Sequence, residues 1–563
     1  MLEIHIANPS IYSFNYFDYH LIAHGTNIKK LELHLLASSY KNIDNIIENF
    51  ISLEEECTII LVYAPEKKCV YCKIWRGINS NFECYYYNKI QKEFLLSDTF
   101  HNIVAKTPIE ARILSENSII DHMLFRTIPG KNTYSTLISR VGQGEKITID
   151  FSTNNIRGDQ FEKIELNPSN CNNHLLSLEE SLNNNISSHF SENDCSVLLT
   201  GGIDSTLLTA LAPHGCTTLS TEINTPEWSF ERKYAEDAVK LTGSQHTFYS
   251  IDENNYLSEL ENTIDLLCMS PHHLQTVLMN TAFHTSPTVF LTGEMADCLF
   301  GKERSIQYEC WRTWEYLHSR LPWRITSRIP KSVLRNLFSA DIEYWHLTRE
   351  KVSSTKSFAQ NSSIWSQIST LEKIFSPEKI QQRIEARWQY VSDLGLKPLS
   401  DLQGIVPQQE ASQWLTFFAE DTLSIWRQLA FAQGKSLYAP FAARSVINYL
   451  LSVPPSNRYS KNKRAKYLLK DLLNKKLPAY QVDKPKGHSG LPLERYFQNG
   501  PLSNAFEIYS APDFISYSHF EKLKKQPNNL TWNILVMSIL QKRIFAANIS
   551  EIENSKIYQF TTK

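Results

Sequence analysis

The chain has 563 residues, enough for more than one domain with its own core, and its 42% hydrophobic and 21% charged residues exclude a disordered, collagen-like or coiled-coil protein. Lys and Arg number 57 against 59 Asp and Glu, a formal charge of -2, which argues against a protein that coats nucleic acid or an anionic membrane. The 10 Cys, without regular spacing, read as reduced thiols of a cytoplasmic protein, and neither a signal-like N-terminus nor an apolar run long enough for a membrane span is found.

From Leu2 to about Phe151 the patterning predicts short strands separated by turns: Cys57 to Tyr63, Cys69 to Trp75, Glu83 to Tyr87, Phe94 to Leu96 and Lys146 to Phe151. Helical periodicity is sparse there. The CxxC at Cys69 to Cys72 reads as part of a strand, since no second Cys or His pair lies near enough to complete a zinc site. An Asn, Ser and Gly-rich stretch, Ser152 to Asn173, reads as a linker between domains at 1–170 and 175–563.

A helix is expected over Leu175 to Phe190. Strand and helix then alternate: strand Ser196 to Leu199, helix Ser205 to Ala212, strand Thr217 to Thr221, helix Glu231 to Leu241 and strand His246 to Ser250. That alternation predicts a parallel sheet whose ligands lie at the C-terminal ends of its strands. His272, His273 and His284 lack a third ligand at sensible spacing and read as surface or pocket histidines. From Trp311 onward the chain reads as mostly helical, with Tyr308, Trp311, Trp314 and Tyr316 at core spacing.

The chemistry is concentrated where the strand Ser196-Val197-Leu198-Leu199 runs into Thr200-Gly201-Gly202-Ile203-Asp204-Ser205-Thr206. Two glycines allow a sharp turn in which several N–H groups converge on phosphate oxygens, and the next helix points its positive end at the same anion. The hydroxyls of Thr200, Ser205 and Thr206 add donors. Asp204 repels phosphate and therefore reads as a magnesium ligand. With no lysine in the turn, the loop suits a departing pyrophosphate, hence cleavage of ATP between the α and β phosphates.

These residues resemble the SGGxDS pyrophosphate loop of the adenine nucleotide α-hydrolase group, with Thr200 for the first Ser. Leu291-Thr292-Gly293-Glu294-Met295-Ala296-Asp297-Cys298-Leu299-Phe300-Gly301 is similar to the TGEGxDELFGG segment of asparagine synthetase B and its relatives, which include β-lactam synthetases and lasso-peptide cyclases. The resemblance implies that Gly293 joins the nucleotide site and that Asp297 is the second magnesium carboxylate. It also implies that Glu294 orients or deprotonates the attacking amine. The run from Lys463-Arg464-Ala465-Lys466-Tyr467 to Lys484-Pro485-Lys486-Gly487 resembles a family segment ending in RPKxG, which would place Lys486 beside the acyl adenylate as a transition-state cation. Asp421-Thr422-Leu423-Ser424 and Tyr438-Ala439-Pro440-Phe441 also match, whereas Ser436 to Ala443 lacks the Glu, Arg and Asp of the family's SLExRxPFLD.

The first domain resembles the family's glutaminase at Trp75-Arg76-Gly77, Tyr85-Tyr86-Tyr87 and Ile128-Pro129-Gly130, but Leu2 stands where the family exposes a nucleophilic Cys. The fold implied is α/β: an N-terminal Ntn-type glutaminase-like α+β domain lacking its nucleophile, then a parallel-sheet synthetase domain with helical additions. Without glutaminase, the amine must be ammonia or belong to the substrate. The favoured expectation is an ATP- and Mg2+-dependent cyclase of the lasso-peptide type, acting on a precursor peptide with a companion protease as partner. The alternatives are an ammonia-dependent asparagine synthetase or other small-molecule amide synthetase, and a nucleotide-binding pseudo-enzyme.

Overall fold

The structure is a computed structural model and describes residues 1–37, 42–53, 56–89, 93–164, 174–190, 194–225, 229–272, 274–301, 366, 368–395, 414, 417, 422–453, 458–461, 464–484, 491–552 and 555–562. The expectations for His273, for Asp421, for Tyr308 to Tyr316 and for Lys486 lie outside the described residues.

Among the described residues eleven strands precede the parallel sheet: β1 (Leu2–Ile6), β2 (Tyr12–Tyr16), β3 (Tyr19–Gly25), β4 (Cys57–Tyr63), β5 (Lys68–Cys69), β6 (Tyr71–Arg76), β7 (Tyr85–Lys89), β8 (Glu93–Ser97), β9 (Ile138–Arg140), β10 (Glu145–Asp150) and β11 (Asn155–Gln160). They form two sheets, one ordered β11-β10-β6-β4-β3-β2. The other runs β5-β19-β1-β8-β7-β9, where β19 is the chain's last strand, Lys556–Thr562, paired antiparallel with β1. The two sheets bury one shared apolar layer that includes Ile4, Ile22, Ile60, Ile74, Phe94 and Ile147. Alternate residues of these strands point the other way, so each sheet's second face also needs cover. Helices Lys29–Leu36 and Ile43–Leu53 cover one, and helices Phe100–Lys106 and Glu116–Phe125 the other.

Those four helices correct the expectation of a nearly helix-free first region. The stretch read as a linker is also shorter than expected, because β11 pairs with β10 along its whole length before the chain leaves the sheet. Cys69 and Cys72 sit on strands, and both thiols are pushed up by burial, Cys69 to about 12.

The parallel sheet contains β12 (Cys195–Leu198), β13 (Thr217–Ile223), β14 (Gln245–Ile251), β15 (Val289–Leu291) and β16 (Ser436–Tyr438), ordered β14-β13-β12-β15-β16. Every neighbouring pair in it is parallel. The chain steps outward from β12 to β13 and β14, then returns to the opposite side of β12 to lay down β15. The order therefore reverses between β12 and β15, and a crevice opens beyond their C-terminal ends.

The helix Thr422–Ala432 joins this sheet to the N-terminal sandwich. Its Arg427 donates to the Leu437 carbonyl on β16 at 3.0 Å and forms an ion pair with Glu56. Ser424 donates to Glu83 at 2.8 Å, and Gln428 bonds the Tyr85 hydroxyl and the Phe100 N–H, both at 3.0 Å.

Candidate functional site

The loop after β12 enters the crevice first. Gly201 takes a left-handed φ of +68, and a Cβ there would meet the Tyr234–Ala235 backbone at 2.3 Å, so conformation and space both demand glycine. The helix Ile203–Leu211 starts directly after Gly202, which caps it through the backbone with no side-chain cap bond. Thr200 and Ser205 hold each other across the turn: the Thr200 N–H donates to the Ser205 hydroxyl at 3.1 Å, and the two hydroxyls lie 3.1 Å apart. The Gly202 N–H donates to the Thr200 hydroxyl at 3.3 Å. Thr200 and Gly202 face outward, whereas Gly201, Ser205 and Thr206 are buried.

The loop after β15 meets it from the side. Thr292 continues the sheet by donating its N–H to the Tyr438 carbonyl at 2.9 Å, and its hydroxyl accepts the Glu294 N–H at 3.2 Å. A Cβ on Gly293 would lie 3.0 Å from Asp204 Cβ and 3.0 Å from the Ser205 N, so a glycine is what lets the two loops touch. Met295, where the family pattern has Gly, holds a left-handed φ of 72 with its side chain buried. Glu294 is half-buried at this junction.

A third segment supplies a cation. The short hairpin of β17 (Ser460–Lys461) and β18 (Arg464–Ala465) ends at Lys466, whose left-handed φ of 53 turns the chain into the helix Tyr467–Lys476. Lys466 Nζ lies 2.5 Å from Asp204 Oδ2 and also pairs with Asp297. Burial alone would lower the Lys466 ammonium, but the two carboxylates overcome it and hold it well above its ordinary value. Lys466 stands in the Lys-rich run noted in the sequence, yet nothing in the spacing singles it out there.

Asp204 and Asp297 are thus brought to one point and already share a positive charge. That arrangement fits a magnesium ion, which is commonly held by one or two carboxylates with phosphate oxygens and water completing its octahedron. Among the described residues no group of three His, Cys, Asp or Glu forms a closed metal cage. His272 is buried and His284 exposed, and among the described residues no metal grouping surrounds either.

Further residues that the sequence left unremarked lie along β13 and β14, with His246 near their N-terminal ends, away from the crevice, and Glu222 and Ser250 near their C-terminal ends. His246 Nδ1 is 2.8 Å from the Thr218 hydroxyl and Nε2 is 3.2 Å from that of Ser220, and burial lowers the ring to about 4. Glu222 would be pushed up by burial but is held below its ordinary range by Arg232 and the Ser250 hydroxyl.

A parallel sheet with a glycine turn and two convergent carboxylates at its switch point defines a nucleotide-handling α/β protein. Comparison with protein families matches asparagine synthase over residues 177–535. The chain belongs to that family, whose members form amide bonds at the expense of ATP, and it is an ATP-dependent amide ligase in that broad sense. A search of curated proteins returned no match. No helix among the described residues is long and apolar enough to cross a membrane.

Proposed function

We propose that the protein activates a substrate carboxylate by adenylation, releasing pyrophosphate, and joins the acyl group to an amine that does not come from glutamine. The observation that carries this reading is the convergence of Asp204 and Asp297 on the Lys466 ammonium beside the Gly201–Gly202 turn. In this reading the turn binds the departing phosphates, and Asp204 and Asp297 hold magnesium, which offsets phosphate charge when bound. Lys466 then stabilises negative charge that grows as the amine attacks and AMP departs. Glu294, at the junction of the loops, orients the amine. Lys486 keeps the same role as an expectation from the sequence.

The amine's origin follows from the other half of the molecule. Leu2 is fully buried in the layer between the sheets, paired with Phe560 on one side and Phe94 on the other. A hydrocarbon side chain offers no thioester, and the described cysteines whose thiols shift are all pushed up by burial. The N-terminal region, in this reading a glutaminase-like domain without its nucleophile, acts as a scaffold.

An intramolecular amine is the favoured case: an Asp or Glu side chain of a precursor peptide is adenylated and closed onto the peptide's own N-terminus. The altered Ser436 to Ala443 segment supports it, since the small buried Ala443 stands where the family pattern carries its Asp. Glu294 favours a second reading, ammonia-dependent synthesis of asparagine or a similar small amide.

Mass spectrometry with ATP and magnesium separates the two. A peptide that loses one water with AMP release supports the cyclase, and asparagine formed from aspartate and ammonia supports the second reading. Release of ADP, or no nucleotide product with either substrate, contradicts both.

A further inference from the structure

The closed side of the phosphate-binding turn carries a contact set that neither the glycine turn nor the Leu291 to Gly301 segment contains. Tyr480 is buried, and its hydroxyl donates to the Gly201 carbonyl. The same phenol oxygen accepts from the Thr206 hydroxyl at 3.2 Å and from Lys484. Lys484 Nζ sits between two rings, 3.9 Å from the centre of Tyr234 and 4.1 Å from that of Tyr480. Tyr234 also supplies the carbonyl that packs against Gly201. One peptide unit of the turn is therefore gripped by a phenol, a cation and a backbone wall at once.

Peptide planarity gives this grip a consequence. In a trans unit the C=O of Gly201 and the N–H of Gly202 point in opposite directions. Holding the carbonyl inward on Tyr480 turns the Gly202 N–H outward, where its present partner is the exposed Thr200 hydroxyl at 3.3 Å. A cation hydrogen-bonded to the phenol oxygen also strengthens the phenol's own donation to the carbonyl.

We propose that Tyr480, braced by Lys484 and Tyr234, is a positioning residue for nucleotide binding: it fixes the Gly201–Gly202 peptide so that the Gly202 N–H is aimed at the phosphates before they arrive. This rests on the adenylation reading above and extends it to Tyr480 and Tyr234, outside the motifs, and to Lys484, which opens the segment that resembles RPKxG. Burial lowers the Lys484 ammonium to about 8, and Asp237 on the neighbouring helix Ser229–Thr242 pulls it back up. The other groups around it are the Tyr480 and Tyr234 phenols, while Asp483 beside it is engaged with Lys470 and Arg464. A phosphate anion in the turn favours the charged amine, so ATP binding at a pH slightly above 8 takes up a proton.

The test is calorimetric titration of the full chain with magnesium ATP near pH 8.5, in two buffers of different ionisation enthalpy. Tyr480→Phe keeps the ring and should weaken binding about tenfold, the scale of one charge-assisted hydrogen bond, with the fold retained. Lys484→Met should abolish the proton uptake and Lys484→Arg should keep the affinity. Wild-type binding with equal affinity in Tyr480→Phe and unchanged uptake in Lys484→Met overturns the positioning role alone. No wild-type binding overturns that role and the adenylation reading together.

Discussion

Charge is handled differently in the two halves of the molecule. Between the sandwich and the parallel sheet, Glu56 and Arg427 pair with side chains 0% and 1% exposed, and Glu83 is enclosed by Arg76 and Arg140. At the mouth of the parallel sheet, Lys466 bridges Asp204 and Asp297, whose side chains remain 21% and 29% exposed. A sealed pair cannot exchange its partner without breaking the fold, so it holds architecture. A pair at a crevice can trade an ammonium for a metal ion or a substrate charge at small structural cost, and that exchange is what chemistry needs.

The largest effect should come from breaking the open cluster. Lys466→Met is expected to lower AMP formation by about 10²–10³-fold, the cost of losing one preorganised transition-state charge, while ATP binding survives. Steady-state kinetics beside direct ATP binding checks it. Next, Arg427→Met leaves Glu56 buried without its cation and should cost about 3–5 kcal/mol of stability in denaturant unfolding, with the KM for ATP unchanged in whatever protein stays folded.

Leu2→Ala sharpens the contrast from the other side. If Leu2 is core, the change should cost about 2–5 kcal/mol, and neither it nor the wild type should release ammonia from labelled glutamine. Ammonia release by the wild type would show that the first half had kept its chemistry.

A further effect is pH-dependent. Burial holds His24 and His122 at about 3 and His246 at about 4, against an ordinary value of 6.5. The unfolded chain binds protons near 6.5 and the folded chain only near 3 to 4, so these groups withdraw stability as pH falls below 6.5 and withdraw none above it. Asp98 and Asp121, pushed up to about 6 by burial, act in the opposite direction over the same range, so the His contribution is read by difference: the fall in unfolding midpoint between pH 7 and pH 5 should be smaller in His122→Asn than in the wild type.

The parallel sheet was readable in the sequence because segments of strand and helix length alternate between turns from Cys195 on, although only β12 is close to an apolar run and β13 and β14 are rich in Thr, Ser and Tyr. The first half was readable only in its hairpin strands. Ile43, Ile47, Phe50 and Ile51 do mark the helix Ile43–Leu53. In the helix Glu116–Phe125, by contrast, polar Ser118, Asp121 and His122 are buried with the apolar residues, so no polar face betrays it. Strand β1 pairs with segments from distant parts of the chain, which local pattern cannot reveal. At the site, Asp204 stood out in its glycine turn, and Gly293 and Asp297 stood out through the resemblance of their segment to a family motif. Lys466 did not, since it is one lysine of several, and only the left-handed turn at the end of the β17–β18 hairpin aims it at the carboxylates. Tyr480 carries no motif at all.

Phosphorus NMR of ATP turnover by the wild type and by Asp204→Ala, with magnesium and the best carboxylate substrate, tests the central claim most directly. The account predicts AMP and pyrophosphate from the wild type and no turnover from the variant. ADP and phosphate from the wild type, or undiminished AMP from Asp204→Ala, would contradict it.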